Sequence, residues 1–363
     1  MRLDLHGSRI IVGAALGGAG AEHVRAAAAG RRIALISDAH VMPLHGGVLA
    51  DALGVPPDDT FTVPAGEASK SREEWARLTD AMLARGFGRD SVVVATGGGV
   101  VGDLAGFVAA TYMRGVPVVQ VPTTLLAMID ASVGGKTGVD TPAGKNLVGA
   151  FHQPALVLAD PAVLATLPPR ELRNGLAEAL KHAVITSRAD FDWLLAAARD
   201  VSDPAQATSD TMARLVAHNI AIKAGIVARD EREAGPRKTL NFGHTIGHAI
   251  EAVAQFAIPH GECVGIGMRV EARIAAALGL ASPSLEADIT SALVALGLPT
   301  RPAATMAPQD VLDATRSDKK SRGHQVEYAL ARAIGAMAGA DSGFGTVVPD
   351  REVLAALTAC IAG

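Results

Sequence analysis

Aromatic residues are scarce in this chain. They make up 3% of its 363 residues, whereas apolar residues as a whole make up 49%. A core with so few rings must be built from small and aliphatic side chains, which suits closely packed helices. Cysteine is nearly absent too, since only Cys263 and Cys360 occur. Two cysteines give neither a disulfide framework nor a C-x-x-C site, so any metal here must use histidine and carboxylate ligands.

An excess of charge of one sign and long apolar runs are also lacking. The formal net charge is −4, so no overall basic field points to nucleic acid or to an acidic membrane surface. No stretch reaches membrane-span length without polar residues, and the N-terminus has no cationic start followed by an apolar run. We therefore expect a cytoplasmic protein that binds neither nucleic acid nor membranes.

The pattern of apolar residues changes partway along the chain. Up to about residue 160, short β-rich runs such as 32–37 and 91–96 alternate with helical patterns, which predicts a parallel sheet with helices on both faces. Long amphipathic patterns follow, and Pro168-Pro169 lies at the change. We predict an α/β Rossmann-like NAD-binding domain over residues 1–160 and an all-α domain over residues 161–363. The helices predicted in the second part include 171–185, 209–229, 240–254, 262–278 and 285–296.

A glycine-rich turn, G-G-G-V-V-G-D over residues 97–103, follows a predicted strand and opens a helical pattern. Glycines let the backbone approach a pyrophosphate, and the N-terminus of the following helix supplies N–H donors. The acidic residue usual about twenty positions later is absent, so Asp38, at the end of an earlier strand, is the candidate for binding the ribose. The alternative is a tight glycine turn that binds no ligand.

Three histidines and one glutamate form a predicted metal site. His244 and His248 stand one helical turn apart, so both imidazoles face one side of a helix, and His260 opens the next apolar run. Glu178, on an earlier helical pattern, supplies a carboxylate. Three protein ligands and an open position are typical of a catalytic zinc, and two histidines with a carboxylate also accept cobalt or iron. We predict Glu178, His244 and His260 as ligands, which leaves His248 as a general acid or base. For one histidine alone, a hydrogen-bonded core residue is the alternative.

Several cations lie beside glycines or polar residues, where they suit a clamp for phosphate or carboxylate. They are Arg114, Lys136, Lys145, Lys181, Lys223 and Arg237. A solvated surface charge is the alternative for any one of them taken singly. That alternative fits Lys181 least, because this lysine stands one turn from Glu178 and projects toward the same metal.

Together these segments resemble the 3-dehydroquinate synthase family of the sugar phosphate cyclases. The likeness runs from about residue 60 to about residue 330 and includes G-G-G-V-V-G-D-L-A-G-F, D-A-S-V-G-G-K-T-G-V-D, L-N-F-G-H-T-I-G-H-A and H-G-E. The resemblance implies an N-terminal NAD-binding α/β domain and a helical C-terminal domain. It also implies zinc, with cobalt as an alternative, and a homodimer.

The resemblance assigns roles residue by residue. The zinc ligands match Glu178, His244 and His260, and a proton relay matches His248. The positions around NAD match Gly66, Glu67, Lys70, Gly99, Val100, Val101, Gly102, Asp103, Thr123, Thr124, Lys136, Lys145 and Thr166. The substrate contacts match Asp130, Lys136, Lys145, Asn146, Lys181, Lys223, Arg237, Asn241 and, of the pair Lys319 and Lys320, the latter. Arg114 matches a residue that reaches the substrate phosphate from the neighbouring subunit.

The implied activity converts a sugar-acid phosphate, 3-deoxy-D-arabino-heptulosonate 7-phosphate, to 3-dehydroquinate and phosphate in the shikimate pathway of aromatic amino acid biosynthesis. The implied steps are transient oxidation by NAD, phosphate elimination, reduction and intramolecular aldol closure. The alternatives are another sugar phosphate cyclase, such as one acting on sedoheptulose 7-phosphate, a metal-dependent polyol dehydrogenase, and a non-catalytic NAD-binding protein. Lys223 and Arg237 favour a substrate with a carboxylate, because buried cations without an anion are costly.

Overall fold

The structure, a computed structural model, describes residues 1–302, 306–317 and 326–362. The chain divides into two compact units. The first comprises Met1–Pro168 and Pro204–Ala224, and the second comprises Pro169–Asp203 and Gly225–Gly363. Each unit is therefore made of two separate stretches of chain. The predicted fold class, an α/β N-terminal part and a helical C-terminal part, is confirmed.

The first unit is built around one large sheet. Its strands are β1 (Arg2–Leu5), β2 (Ser8–Val12), β3 (Arg32–Asp38), β4 (Thr60–Val63), β5 (Ser91–Gly97), β6 (Val118–Pro122) and β9 (Leu156–Ala159), while β7 (Lys136–Thr141) and β8 (Gly144–Phe151) form a separate hairpin. The order across the sheet is β1-β2-β9-β6-β5-β3-β4, and only β1 runs antiparallel to its neighbour. β5 is buried along its whole length, which explains why its sequence is a continuous apolar run without alternation.

Helices lie between the strands of the first unit. They are α1 (Ala21–Ala28), α2 (Gly47–Leu53), α3 (Arg72–Ala84) and α4 (Gly99–Thr111). Ser71 caps the start of α3, because its Oγ accepts a hydrogen bond from the backbone N–H of Glu74 at 3.2 Å. Aliphatic residues such as Val93, Leu104 and Val108 dominate the core that α4 shares with the sheet.

The second unit is mainly helical. The remaining helices of the chain are α5 (Pro169–Thr186), α6 (Arg188–Val201), α7 (Asp210–Arg229, which begins in the first unit and ends in the second), α8 (His244–Val253), α9 (His260–Ala277), α10 (Ser284–Ala295), α11 (Pro308–Ser317) and α12 (Asp350–Ala362). Two small sheets pair β10 (Glu327–Tyr328) with β13 (Thr346–Val347) and β11 (Ala331–Ala333) with β12 (Ala336–Met337). None of the helices in the described ranges is both long and apolar enough to span a membrane.

The start of α8 differs from the sequence prediction. A helix predicted from residue 240 is instead a 3-10 turn, Pro236–Asn241, followed by α8 from His244. Gly243 separates the two with a φ of +80°, a left-handed conformation that interrupts a right-handed helix. The spacing of apolar residues does not depend on the sign of φ. The helical pattern in the sequence therefore continues across Gly243, although the helix itself does not.

Candidate metal centre and cofactor-binding edge

The carboxyl ends of β3 and β5 are neighbours in the first unit, at a point where β4 lies on one side of β3 and β5 on the other. Such a switch in strand order is where open α/β sheets bind ligands. Asp38 ends β3, and its Oδ1 accepts hydrogen bonds from the N–H groups of His40 and Val41 at 2.8 and 2.9 Å. Gly97 ends β5, and α4 begins at Gly99. The residues predicted for ribose and for pyrophosphate therefore share one edge of the sheet.

The glycines of this turn are also required by packing. A Cβ atom on Gly97 would come within 2.6 Å of Val101 Cβ, and one on Gly102 within 2.8 Å of Gln120 Oε1. Val101 is itself buried in the core of the first unit. The glycine pattern thus follows in part from the close approach of α4 to the sheet, and not from a ligand alone.

Four charged residues predicted around NAD form two ion pairs in the first unit. Lys70 is buried, with its Nζ 2.5 Å from Asp103 Oδ2, and Lys145 Nζ lies 3.1 Å from Glu67 Oε1. Burial lowers the pKa of Lys70, but the carboxylate of Asp103 outweighs that effect and holds the pKa above its ordinary value. Gly66, at a φ of +107°, precedes a short 3-10 turn in which the backbone N–H of Lys70 donates to the Glu67 carbonyl oxygen. Lys70 is therefore a fixed positive charge.

Lys223, a predicted substrate contact, is paired within the first unit. Its Nζ lies 2.6 Å from Asp130 Oδ1 and 2.5 Å from the Asp130 carbonyl oxygen, and the residue is 7% exposed. Asp130 thus balances the charge of Lys223. The cost of burying an unpaired cation, which favoured a substrate carboxylate from the sequence, does not apply to Lys223 in this structure.

Other predicted residues of the first unit lie on loops and on the β7–β8 hairpin. Lys136 begins β7, and Asn146 in β8, at a φ of +57°, donates its backbone N–H to Asp140 Oδ1 at 2.9 Å. Thr123 is buried just after β6, and the adjacent Thr124 accepts a hydrogen bond from Ala127 at 3.1 Å. Thr166 Oγ1 lies 2.7 Å from His45 Nε2.

Arg114 is exposed at the end of a strained segment of the first unit. Met113 and Arg114 have φ values of +50° and +66°, a conformation that costs a non-glycine residue energy. Tyr112 anchors the segment by donating its hydroxyl to the carbonyl oxygen of Phe87 at 2.8 Å. The backbone is thus held in an unfavourable form that turns Arg114 toward solvent.

In the second unit, glycines let α8 and α9 cross with their backbones in contact. A Cβ atom on Gly267 would collide with the carbonyl oxygen of Gly243, and one on Gly247 would lie 3.0 Å from Val264 Cα. Gly243 lies against Gly267 and Gly247 against Val264, so the two helices cross in opposite directions. This crossing brings the ring of His260, at the start of α9, within 5.3 Å of the ring of His244. The spacing G-H-x-x-G-H on α8 therefore serves packing and positions the imidazoles at the same time.

Glu178, His244 and His260 converge in the second unit. Glu178 Oε1 lies 3.5 Å from His244 Nε2 and 3.6 Å from His260 Nε2. Four donors about 2.0–2.2 Å from one zinc stand roughly 3.3–3.6 Å apart, so these separations fit ligands of a single ion. Glu178 is fully buried, and its Oε1 receives no hydrogen bond from any described residue. An unsatisfied buried carboxylate oxygen facing two imidazoles is what a divalent metal would satisfy.

The far side of each imidazole is held by an oxygen. His244 Nδ1 lies 3.2 Å from the Phe242 carbonyl oxygen, and His260 Nδ1 lies 3.2 Å from Glu251 Oε2. Hydrogen bonds at Nδ1 leave both Nε2 atoms directed at Glu178, the usual arrangement of metal-binding histidines. The sequence prediction missed Glu251, although it stands seven residues after His244 on the same face of α8.

Charge in this cluster favours anionic Glu178 and neutral His244. Burial opposes ionisation of Glu178, but Lys181 and the imidazoles outweigh it and hold the pKa of the carboxyl well below its ordinary value. Burial, then the charge of Lys181, lowers the pKa of His244 well below its ordinary range. Burial also lowers the pKa of His260, but Glu178 and Glu251 on either side raise it to about 10. A metal at His260 would therefore displace a proton.

Four further predicted residues belong to the second unit. Lys181 and His248 lie beside the cluster, whereas Arg237 and Asn241 precede His244 in the sequence. Lys181 forms a buried ion pair with Glu178 Oε2, and the His248 ring lies 5.3 Å from that of His244 and 5.6 Å from that of His260. Arg237 is buried and donates to the Glu231 carbonyl oxygen at 2.5 Å, and Asn241 Nδ2 lies 2.5 Å from Glu233 Oε1. Lys319 and Lys320 lie outside the described residues.

Two solved structures of similar fold match almost the whole chain. A 2-deoxy-scyllo-inosose synthase complexed with carbaglucose-6-phosphate, NAD⁺ and Co²⁺ is 25% identical, with a TM-score of 0.87 over 98% of this chain and 99% of the other. A 2-epi-5-epi-valiolone synthase from Streptomyces hygroscopicus subsp. jinggangensis 5008, with NAD⁺ and Zn²⁺ bound, is 29% identical, with a TM-score of 0.84 over 99% and 98% of the two chains. The fold is thus that of the sugar phosphate cyclases.

The sequence narrows this class to one family. Residues 60–174 match the family described as 3-dehydroquinate synthase N-terminal, and residues 175–321 match 3-dehydroquinate synthase C-terminal. The 3-dehydroquinate synthase of Caulobacter vibrioides (strain NA1000 / CB15N) is 49% identical over 314 residues, which are 84% of each chain. The chain belongs to the 3-dehydroquinate synthase family, and the resemblance drawn from its motifs is confirmed.

Proposed function

We propose that this chain converts 3-deoxy-D-arabino-heptulosonate 7-phosphate to 3-dehydroquinate and phosphate, as a lyase that depends on NAD and a divalent metal. The observation that carries the metal dependence is the unsatisfied Oε1 of Glu178 between the Nε2 atoms of His244 and His260. Membership of the family supports the substrate and product. The NAD and Zn²⁺ or Co²⁺ of the similar structures support the cofactors.

Glu178, His244 and His260 would hold the metal, and the edge formed by Asp38 and the turn at Gly99 would hold NAD. When bound, the metal supplies a Lewis acid for a sugar hydroxyl, and NAD accepts and returns a hydride. The chain itself supplies the fixed charges. Lys181 holds Glu178 in its anionic, metal-binding form.

His248 is our candidate for moving protons. Its ring lies beside both ligand histidines without being needed as the third protein ligand, so it can accept or donate a proton next to the metal. The cations Lys136, Lys145, Lys223, Arg237 and Lys320, with Asp130, Asn146 and Asn241, would orient the phosphate, carboxylate and hydroxyls of the substrate. Orientation of this kind lowers the entropy cost of the elimination and of the ring closure.

A phosphate-release assay tests the proposal. Protein supplied with NAD and zinc should release phosphate from 3-deoxy-D-arabino-heptulosonate 7-phosphate without accumulating NADH, because the hydride returns to the product. Turnover of sedoheptulose 7-phosphate alone would instead assign the chain to another sugar phosphate cyclase, and NADH formed from a polyol would make it a dehydrogenase. The same protein treated with a chelator is the control.

The proposal includes a homodimer, in which Arg114 of one subunit reaches the substrate phosphate of the other. Support comes from its exposure and from the strained backbone that presents it. Mixing Arg114→Ala with His244→Ala subunits under exchange tests this. Random pairing gives heterodimers in which one of two sites has both residues, so about a quarter of the wild-type activity should return. No recovery in dimers shown to have exchanged would mean that Arg114 acts within its own subunit.

A further inference from the structure

The N-terminus of α8 lacks a side-chain cap of its own. The residue at the N-cap position is Gly243, which has no side chain to accept a hydrogen bond from the first turn. No larger residue fits, because a Cβ atom there would lie 2.5 Å from Met268 Cγ and 2.8 Å from the Val264 carbonyl oxygen, and because φ is +80°. The packing of α8 on α9 therefore excludes the usual capping residues from the helix that carries His244.

Glu271 on α9 takes over this task. Its Oε2 accepts the backbone N–H of Gly243 at 2.6 Å, and its Oε1 accepts that of Ile246 at 3.3 Å. These are the N-cap and N3 positions, the two N–H groups that a capping box satisfies with two side chains of the same helix. Glu271 is fully buried, so one carboxylate from a neighbouring helix replaces both.

His244, the first residue of α8, lies between the two residues that Glu271 binds, Gly243 and Ile246. Its ring is oriented by Phe242, the residue just before Gly243, through the contact of Nδ1 with the Phe242 carbonyl oxygen. The carboxylate also places a negative charge at the positive end of the α8 dipole. Fixing Gly243 and Ile246 therefore fixes the backbone from which the imidazole of His244 reaches Glu178.

We propose that Glu271 is a positioning residue of the metal centre, which sets the place of His244 by capping α8 from α9. Its carboxylate contacts the backbone of α8, so its effect on the metal passes through His244. The proposal rests on the proposed function, since it requires His244 to bind a metal. It predicts a loss in metal affinity that exceeds what a general loss of stability would give.

The test compares Glu271→Gln with Glu286→Gln. Glutamine keeps the shape of residue 271 but turns one acceptor into an N–H donor that faces a backbone N–H. Glu286 on α10 is the matched control, because it is a glutamate whose carboxylate binds two arginines of α9, Arg269 and Arg273. The metal-free proteins are titrated with Zn²⁺ and with Co²⁺, whose absorption spectrum reports the ligand geometry, and unfolding is measured in parallel.

We expect Glu271→Gln to bind both metals about 10- to 100-fold more weakly, with an altered Co²⁺ spectrum, the range typical for groups that orient metal ligands. Glu286→Gln should bind them as the wild type does, even if its melting temperature falls equally. Affinity and spectrum unchanged in Glu271→Gln would overturn the inference. Wild-type protein that binds neither metal would instead overturn the proposed function. Glu271→Asp, which keeps the charge but is one methylene shorter, serves if the glutamine variant does not fold.

Discussion

At the scale of single residues, the proposed metal site is formed by side chains far apart in the sequence, and His244 is held on both sides of its ring. Its Nε2 faces Glu178 while its Nδ1 is held by a backbone oxygen. We predict that His244→Ala abolishes metal binding and activity together, because two remaining ligands do not hold a catalytic ion. Metal content after gel filtration and phosphate release measure this.

The control is His23→Ala, which removes a histidine of α1 in the first unit. It should keep metal and activity at the wild-type level. Retention of one metal per chain in His244→Ala would show that the ligand set has been chosen wrongly.

Lys223 gives a second prediction at this scale. Lys223→Ala leaves Asp130 without its cation and removes a charge proposed to hold the substrate. We expect kcat/KM to fall by about tenfold or more, since each tenfold corresponds to about 1.4 kcal/mol of lost transition-state stabilisation. Steady-state phosphate release measures it, with Lys238→Ala as control because Lys238 pairs with Glu327 and has no proposed role. An unchanged kcat and KM would remove Lys223 from the substrate site.

At the scale of elements, the crossing of α8 and α9 is the feature most sensitive to a single methyl group. We predict that Gly267→Ala destabilises the protein by about 1–3 kcal/mol, because the added Cβ collides with the Gly243 carbonyl oxygen. It should also weaken metal binding, since the same crossing brings His244 and His260 together. Urea unfolding and metal titration measure the two effects.

Gly225→Ala is the matched control for that experiment. Gly225 lies inside α7, and a Cβ atom there would meet nothing within 4 Å. Alanine is the better helix former, so this variant should be more stable by about 0.5–1 kcal/mol. Equal destabilisation by both substitutions would mean that the loss at Gly267 does not come from the helix crossing.

The elements also show what the sequence can predict. The buried strand at β5 and the long helices α5, α7 and α9 were predicted because their apolar spacing is regular over many residues. The β7–β8 hairpin was not, because K-T-G-V-D-T and G-K-N-L-V-G-A-F have no clean alternation. The predicted first residue of α8, residue 240, lies too early in the sequence. The true start depends on the backbone conformation of Gly243, which apolar spacing does not encode.

The same limit applies to the site. His244, His260 and Glu178 are predicted as metal ligands from residue type, spacing and family motifs, and the structure brings them together. Glu251 and Glu271 were not predicted, because their roles depend on which helices pack together. A glutamate on an apolar helix face looks the same in the sequence whether it pairs with a cation, orients a histidine or caps a neighbouring helix.

At the scale of the whole molecule, the response of stability to acid can be predicted from Asp59. Hydrogen bonds from Arg32, at 2.6 and 2.8 Å, hold the pKa of Asp59 below its ordinary value of 3.8, despite burial. A carboxyl with a lowered pKa stabilises the folded state above its ordinary pKa, and that contribution is lost as the pH falls through the folded pKa.

We therefore predict that Asp59→Asn is less stable than the wild type at pH 7 and that the difference shrinks below about pH 4. Urea unfolding at pH 7, 5 and 3 measures it. Asp58→Asn is the control, because Asp58 is 73% exposed and its ion pair with Arg85 lies at the surface. A stability difference that stays constant down to pH 3 would contradict the pairing.

The division of each unit into two stretches has a consequence for synthesis. The first unit is completed only by Pro204–Ala224, which leaves the ribosome after Pro169–Asp203. During that interval α5, with the apolar face that later packs on α9, has emerged while α9 has not yet been translated. At a translation rate of roughly 5–20 residues per second, several seconds pass between the synthesis of α5 and that of α9. Between the emergence of Glu178 and that of His260, the nascent polypeptide therefore exposes this face of α5 to chaperones and to misassembly.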